Sequence, residues 1–66
     1  MKDGDRYIRN KDRRQYEVIC IARSQNKQTG MWTNFDVVHR PTDGIYPSYV
    51  MPKEDFLNQF QEDKSR

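Results

Sequence analysis

His39 is the single histidine of this 66-residue chain and therefore its one side chain with an ordinary pKa near neutrality, the natural candidate for a general base. Cys20 is the single cysteine. In an alternating strand His39 shares a face with Phe35 and Val37, and Cys20 falls on the inward face of the preceding strand. A Cys–His nucleophilic dyad is conceivable where the two line up across the ladder. The competing reading is packing: a buried cysteine acts as a small inert hydrophobe. Asp36 has opposite parity to His39 and cannot orient the imidazole within an unbroken strand. The three glycines, Gly4, Gly30 and Gly44, stand far apart at turns, so no phosphate-cradling loop is present. One Cys and one His fall short of the four ligands of a structural zinc site. The residues predict a non-catalytic chain that takes no cofactor and no metal.

Charge and aromatic rings offer more. Arg6, Arg9, Lys11, Arg13 and Arg14 surround the first predicted hairpin, with Arg23 and Lys27 at the far end of the next strand. Arg13 and Arg14 fall on opposite faces, which dilutes the patch. Tyr7, Tyr16 and Trp32 are placed to interleave with these cations as stacking platforms for single-stranded bases. Short charged hairpins also serve simply to protect strand edges. Trp32 opens a strand with parity opposite to Phe35. It either lies partly exposed, forming with Tyr46 and Tyr49 an aromatic groove for an extended peptide, or packs over the second face beside Ile19 and Ile21.

The elements that must position these groups follow from periodicity and punctuation. Residues 6–9 form a short strand ending at the turn Asn10-Lys11-Asp12. Tyr16, Val18, Cys20 and Ala22 then alternate with Glu17, Ile19, Ile21 and Arg23, the period of a strand, and apolar residues on both faces make it central. Ser24 to Gly30 is a polar hairpin loop. Met31 to Arg40 is the next strand, with Phe35, Val37 and His39 alternating with Asn34, Asp36 and Val38 until Pro41 removes a ladder donor. After the turn Thr42-Asp43-Gly44, residues Ile45 to Val50 form a final strand that Pro47 confines to an edge or bend. Pro52 suits a first helical position, with Glu54 and Asp55 in the first turn. Phe56, Leu57 and Phe60 form one apolar stripe facing the core, and residues 61–66 fray. The order β-β-β-β-α predicts a mostly-β (α+β) fold: a small four-stranded antiparallel SH3-like open barrel with the helix plugging one end, or a curled sheet with the helix across one face.

The run Gly4-Asp5-Arg6-Tyr7, then Tyr16-Glu17-Val18-Ile19 followed by Ala22, resembles the opening of a small bacterial family catalogued as domain of unknown function 1653. Val37-Val38-His39-Arg40 is similar to that family's Val-Val-Tyr-Arg strand, and Tyr49-Val50-Met51-Pro52 with Phe56 resembles its closing Trp-Val-Arg-Pro-x-x-x-Phe element. The likeness spans roughly residues 4–57. It departs at Met51, where the family has Arg, at Tyr49, where it has Trp, and at Arg9-Asn10-Lys11-Asp12, which replaces a His-x-Lys-Gly turn. The resemblance implies a compact mostly-β domain and no particular activity.

Composition bounds the rest. Hydrophobic and charged residues each make up 33% of the chain, but the net charge is only +2 and the eight aromatics (one Trp, four Tyr, three Phe) can seed a core, which favours one marginal folded domain over disorder. Residues 1–40 carry nine Lys/Arg against five Asp/Glu, and residues 41–66 three against five, a basic half followed by an acidic one. The longest apolar run, Val18 to Ala22, is far short of the ~20 residues of a spanning helix. No secretory signal is visible at the start, and a lone cysteine suits a reducing cytoplasm. The functional expectation is a cytoplasmic, non-catalytic binding module that contacts a protein partner through Trp32, Tyr46, Tyr49, Arg9, Lys11, Arg13 and Arg14, with weak nucleic-acid binding as the alternative.

Overall fold

The computed structural model describes residues 1–32, 35–45 and 47–64. Among these, β1 (Arg6–Arg9), β2 (Gln15–Ala22), β3 (Asp36–Pro41), β4 (Tyr49–Pro52), α1 (Lys53–Gln59) and β5 (Phe60–Glu62) follow one another along the chain. The strands form one antiparallel sheet in the order β4-β3-β2-β1-β5. The fold is mostly β with one short helix. The sheet is open, with β4 and β5 as its edges.

Helix α1 crosses from one edge to the other. Pro52 to Phe60 spans only about 12 Å at helical rise, whereas four strand spacings in a flat sheet are ~19 Å. The sheet therefore curls until its edges approach, and α1 lies in the concavity. The ring of His39 on β3 sits 5.3 Å from that of Phe60 on β5, although two strands separate them in the sheet. The core in this concavity consists of Tyr7, Tyr16, Val18, Val37, Phe56 and Phe60, with His39 buried among them and Ile21 and Met51 packed against its border.

Several features depart from the sequence expectation. Among the described residues there are five strands, not four, because Phe60, expected on the helix, and residues 61–62, expected to fray, pair with β1. Three residues have little strand propensity of their own. They are held by the Phe60 ring, 5.1 Å from Tyr16 and 4.2 Å from Phe56, and by the hydrogen bond from the Asp63 N–H to the Arg6 carbonyl (2.9 Å). Strand β4 begins at Tyr49 and not at Ile45, which is fully exposed. Regular pairing in β3 begins at Asp36 and not at Met31; Trp32 makes only an isolated bridge to Gln25. Asn34 and Tyr46 lie outside the described residues.

The largest correction is a register shift in β2. Val18 is opposite His39, but Cys20 is opposite Val38, so Ile19 and Cys20 together face one residue of β3. This is a β-bulge, and it reverses the parity of everything after it. Ile21, predicted to face outward, pairs with the buried Val37 and packs on the core. Cys20, predicted to face inward, turns to the outer face. Helix α1 is corrected as well: Pro52 is its N-cap and not its first residue, Phe56 is fully buried, and Leu57 is 50% exposed and not core.

Candidate functional site

The turn between β1 and β2 is built by one aspartate. Asp12 accepts from the Arg9 guanidinium through Nε (3.1 Å) and Nη2 (2.6 Å), and from the Arg14 backbone N–H (3.1 Å). These donors hold its carboxyl at about 2, below the ordinary carboxylate value. Arg9 and Arg14 also exchange a backbone hydrogen bond, Arg9 N–H to Arg14 carbonyl, at 2.9 Å. Arg13, at the crest, is held at φ 62, the left-handed region that suits glycine. Arg13→Gly is therefore expected to stabilise the domain by about 0.5–1 kcal/mol, read from the urea midpoint; a destabilisation would mean that the Arg13 side chain itself supports the turn.

The two flanking arginines lie against an aromatic ledge. Arg9 and Arg14 sit 5.0 and 5.9 Å from the centroid of the Tyr16 ring, and Arg14 also donates from Nε to Asp43 (3.2 Å). Tyr16 is edge-on to His39 at 5.7 Å, and His39 is tilted against the half-exposed Tyr49 at 6.1 Å. The His39 Nδ1 lies 3.0 Å from the Val37 carbonyl, which assigns its proton to that nitrogen. Burial pushes the imidazole pKa down; the hydrogen bond opposes this and the nearby Arg9 charge adds to it, so the ring is neutral at pH 7.

This geometry separates the residues that the sequence grouped together. Arg9, Arg14 and Tyr49 border one end of the concave face through Tyr16 and His39. Lys11 and Arg13 are exposed at the adjoining turn and make no ion pair among the described residues. Trp32 is at the opposite end. Tyr49 lies in the row of Val18, and Trp32 lies beside Gln25, beyond the end of β2. At strand rise that is roughly 20 Å away, so Trp32 and Tyr49 do not share a groove. The Cys–His dyad is also excluded, because the bulge puts Cys20 opposite Val38 on the outer face while His39 is buried in the concavity.

A feature that the sequence did not signal is a cleft of ≈ 320 Å³ lined by Phe35, Pro52, Lys53, Glu54 and Leu57. It opens where the Lys53 N–H donates to the Phe35 carbonyl (2.8 Å), tying the start of α1 to the start of β3. Phe35 and Leu57, both assigned to the core by periodicity, are 54% and 50% exposed here, and the Arg23 guanidinium stands 5.6 Å from the Phe35 ring. Met31 and Trp32, 69% and 58% exposed, belong to the same end of the sheet. The amphipathic signal of α1 was one position too wide: a seven-residue helix buries the Phe56 line and leaves its neighbour Leu57 outside.

Comparison with protein-family models, with curated proteins and with solved structures finds no match for this chain. Among the described residues, no helix is long and apolar enough to cross a membrane, and no three His, Cys, Asp or Glu side chains gather to hold a metal ion.

Proposed function

We propose that this chain is a non-catalytic binding module that takes an extended protein segment presenting an apolar side chain, in the cleft between Phe35 and Leu57. The observation that carries this reading is the exposure of those two side chains on either wall of the cleft, on a domain with few apolar residues to spare for solvent. Trp32 and Met31 supply further apolar surface at that end. Pro52 and Lys53 form the rim, and Glu54 beside them is suited to a polar or basic flanking residue. A cytoplasmic setting, and the likeness to the family of unknown function, belong to the same proposal and add no activity to it.

A library of random linear peptides displayed on phage, selected on the full chain, tests the reading. Peptides sharing an apolar anchor are expected, with binding falling at least about tenfold in Leu57→Asp. Because Leu57 is half exposed, that variant is expected to keep its far-ultraviolet circular dichroism. Enrichment indifferent to Leu57→Asp would remove the cleft from the proposal.

Nucleic-acid binding ranks second, favoured by the exposed Lys11 and Arg13 at the β1–β2 turn. Arg9 and Arg14 already face Asp12 and Asp43. With two cations to release counterions from a single strand, the slope of log affinity against log salt is expected to be no steeper than about −1.4. Backbone amide shifts that stay unmoved by oligonucleotides at low salt would dismiss this second reading.

A further inference from the structure

The outer, convex face of the sheet carries no helix, and its side chains follow a simple order. Along β3, Asp36, Val38 and Arg40 point outward, since Val37, His39 and Pro41 are buried. Val38 is opposite Cys20 on β2 and Val50 on β4, making an apolar row across three strands, with the bulged Ile19 beside it. Val50 is 65% exposed and Ile19 37%. On one side of the row lie Arg6, Glu17 and Arg40, with Arg40 Nη2 3.7 Å from Glu17 Oε1; on the other lie Ala22, Asp36 and Pro52. Acid and base therefore stand two residues either side of the same valine, each about 6.6 Å from it along the strand.

From this placement we propose that a second copy of this chain docks on the outer face, β3 stacked antiparallel over β3, with Val38 on the two-fold axis. The apolar row is centred on β3, with Cys20 of β2 and Val50 of β4 on either side of Val38. An antiparallel stack sets Arg40 of each copy over Asp36 of the other and Val38 over Val38, and Val50, Ile19 and Cys20 fill the margins. A parallel stack would set Arg40 over Arg40 and Asp36 over Asp36, so the charges select one orientation. Isologous pairing of this kind is self-complementary, as a two-fold axis requires. The rival mode, edge pairing through β4, is poorly supplied with donors. Lys53 N–H donates to Phe35 of β3, so alternation turns the backbone nitrogens of Val50 and Pro52 to solvent, and a proline nitrogen carries no hydrogen. The apolar row is small, so the dimer is a weak one, below the size of standard interfaces.

Sedimentation equilibrium of the full chain from micromolar to millimolar concentration tests the proposal. The expected result is a monomer–dimer equilibrium that Val50→Lys weakens at least about tenfold. Asp36→Arg alone or Arg40→Asp alone is expected to weaken it by about tenfold, and the two together to return it to within about threefold of the parent. Val50→Lys alters a largely exposed side chain, so it reports even where a change at Asp36 disturbs folding; circular dichroism checks each variant. A mass of 8.0 kDa at every concentration, a dimer indifferent to Val50→Lys, or a double reversal that does not recover would overturn it.

Discussion

Replacing Phe56 with alanine is expected to leave the chain unfolded at 25 °C. Phe56 has no exposed surface, and its ring lies 5.0 Å from Tyr7, 5.0 Å from His39 and 4.2 Å from Phe60, on which it stacks. It is the contact through which α1 packs on β1, β3 and β5. Truncating a buried phenylalanine costs about 3–5 kcal/mol. A domain of this length has a total stability on the order of 3–10 kcal/mol at typical values per residue, so the loss is comparable to the reserve. Loss of the near-ultraviolet circular dichroism signal, with a collapsed urea transition, is the measurement. Val18→Ala, at another fully buried position beside the bulge, is expected to follow it at about 2 kcal/mol or more. Leu57→Ala, one residue along the helix, is expected to cost under about 1 kcal/mol, and Gln28→Ala, in the polar loop, under about 0.5 kcal/mol. A Leu57→Ala variant less stable than Phe56→Ala would show that α1 is rotated from the position described.

Acid is expected to destabilise the domain well before its carboxylates protonate. His39 is buried among the rings of Tyr16, Phe56 and Phe60, each edge-on to it, with Tyr49 tilted over one side. Desolvation is the main cause of its lowered pKa. In the unfolded chain the imidazole titrates near the ordinary value of 6.5. Between that value and the lower folded value the unfolded chain binds more protons, so stability rises with pH across this window. The contribution is complete above about pH 6.5 and is lost as pH falls through the folded pKa. Asp12 acts in a different range: its contribution is present above the ordinary carboxylate value of 3.8 and is lost as pH falls through about 2. The urea midpoint is thus expected to drop from pH 7.5 to pH 5, and the drop to flatten in His39→Leu, which fills the site with an apolar side chain that does not titrate. An unchanged midpoint across that range, or the same slope in His39→Leu, would show that the imidazole is not held neutral.

What the sequence by itself determined was the local layer of the structure. Tyr16 and Val18 alternate with Gln15 and Glu17, and that period of two fixes both a strand and its inner face. Asn10-Lys11-Asp12 and Thr42-Asp43-Gly44 mark turns because their side chains and the glycine satisfy backbone demands that no distant contact is needed to explain. Glu54 and Asp55, in the first turn after Pro52, favour a helix start for similarly local reasons. The tertiary structure decided everything that depends on which surface meets which. Ile19-Cys20-Ile21 is apolar without interruption and so carries no parity, and only pairing with Val38 shows where the extra residue lies. The three residues of β5 form a strand because Phe60 is held between Tyr16 and Phe56 while β1 offers an open edge. Phe35 and Leu57 read as core by hydrophobicity, but the curled sheet closes over the Phe56 line and leaves them on the walls of a cleft. Trp32 and Tyr49 are both aromatic and exposed, and the direction of the strands carries them to opposite ends. Periodicity ranks residues by the face they share, whereas burial depends on what arrives to cover that face.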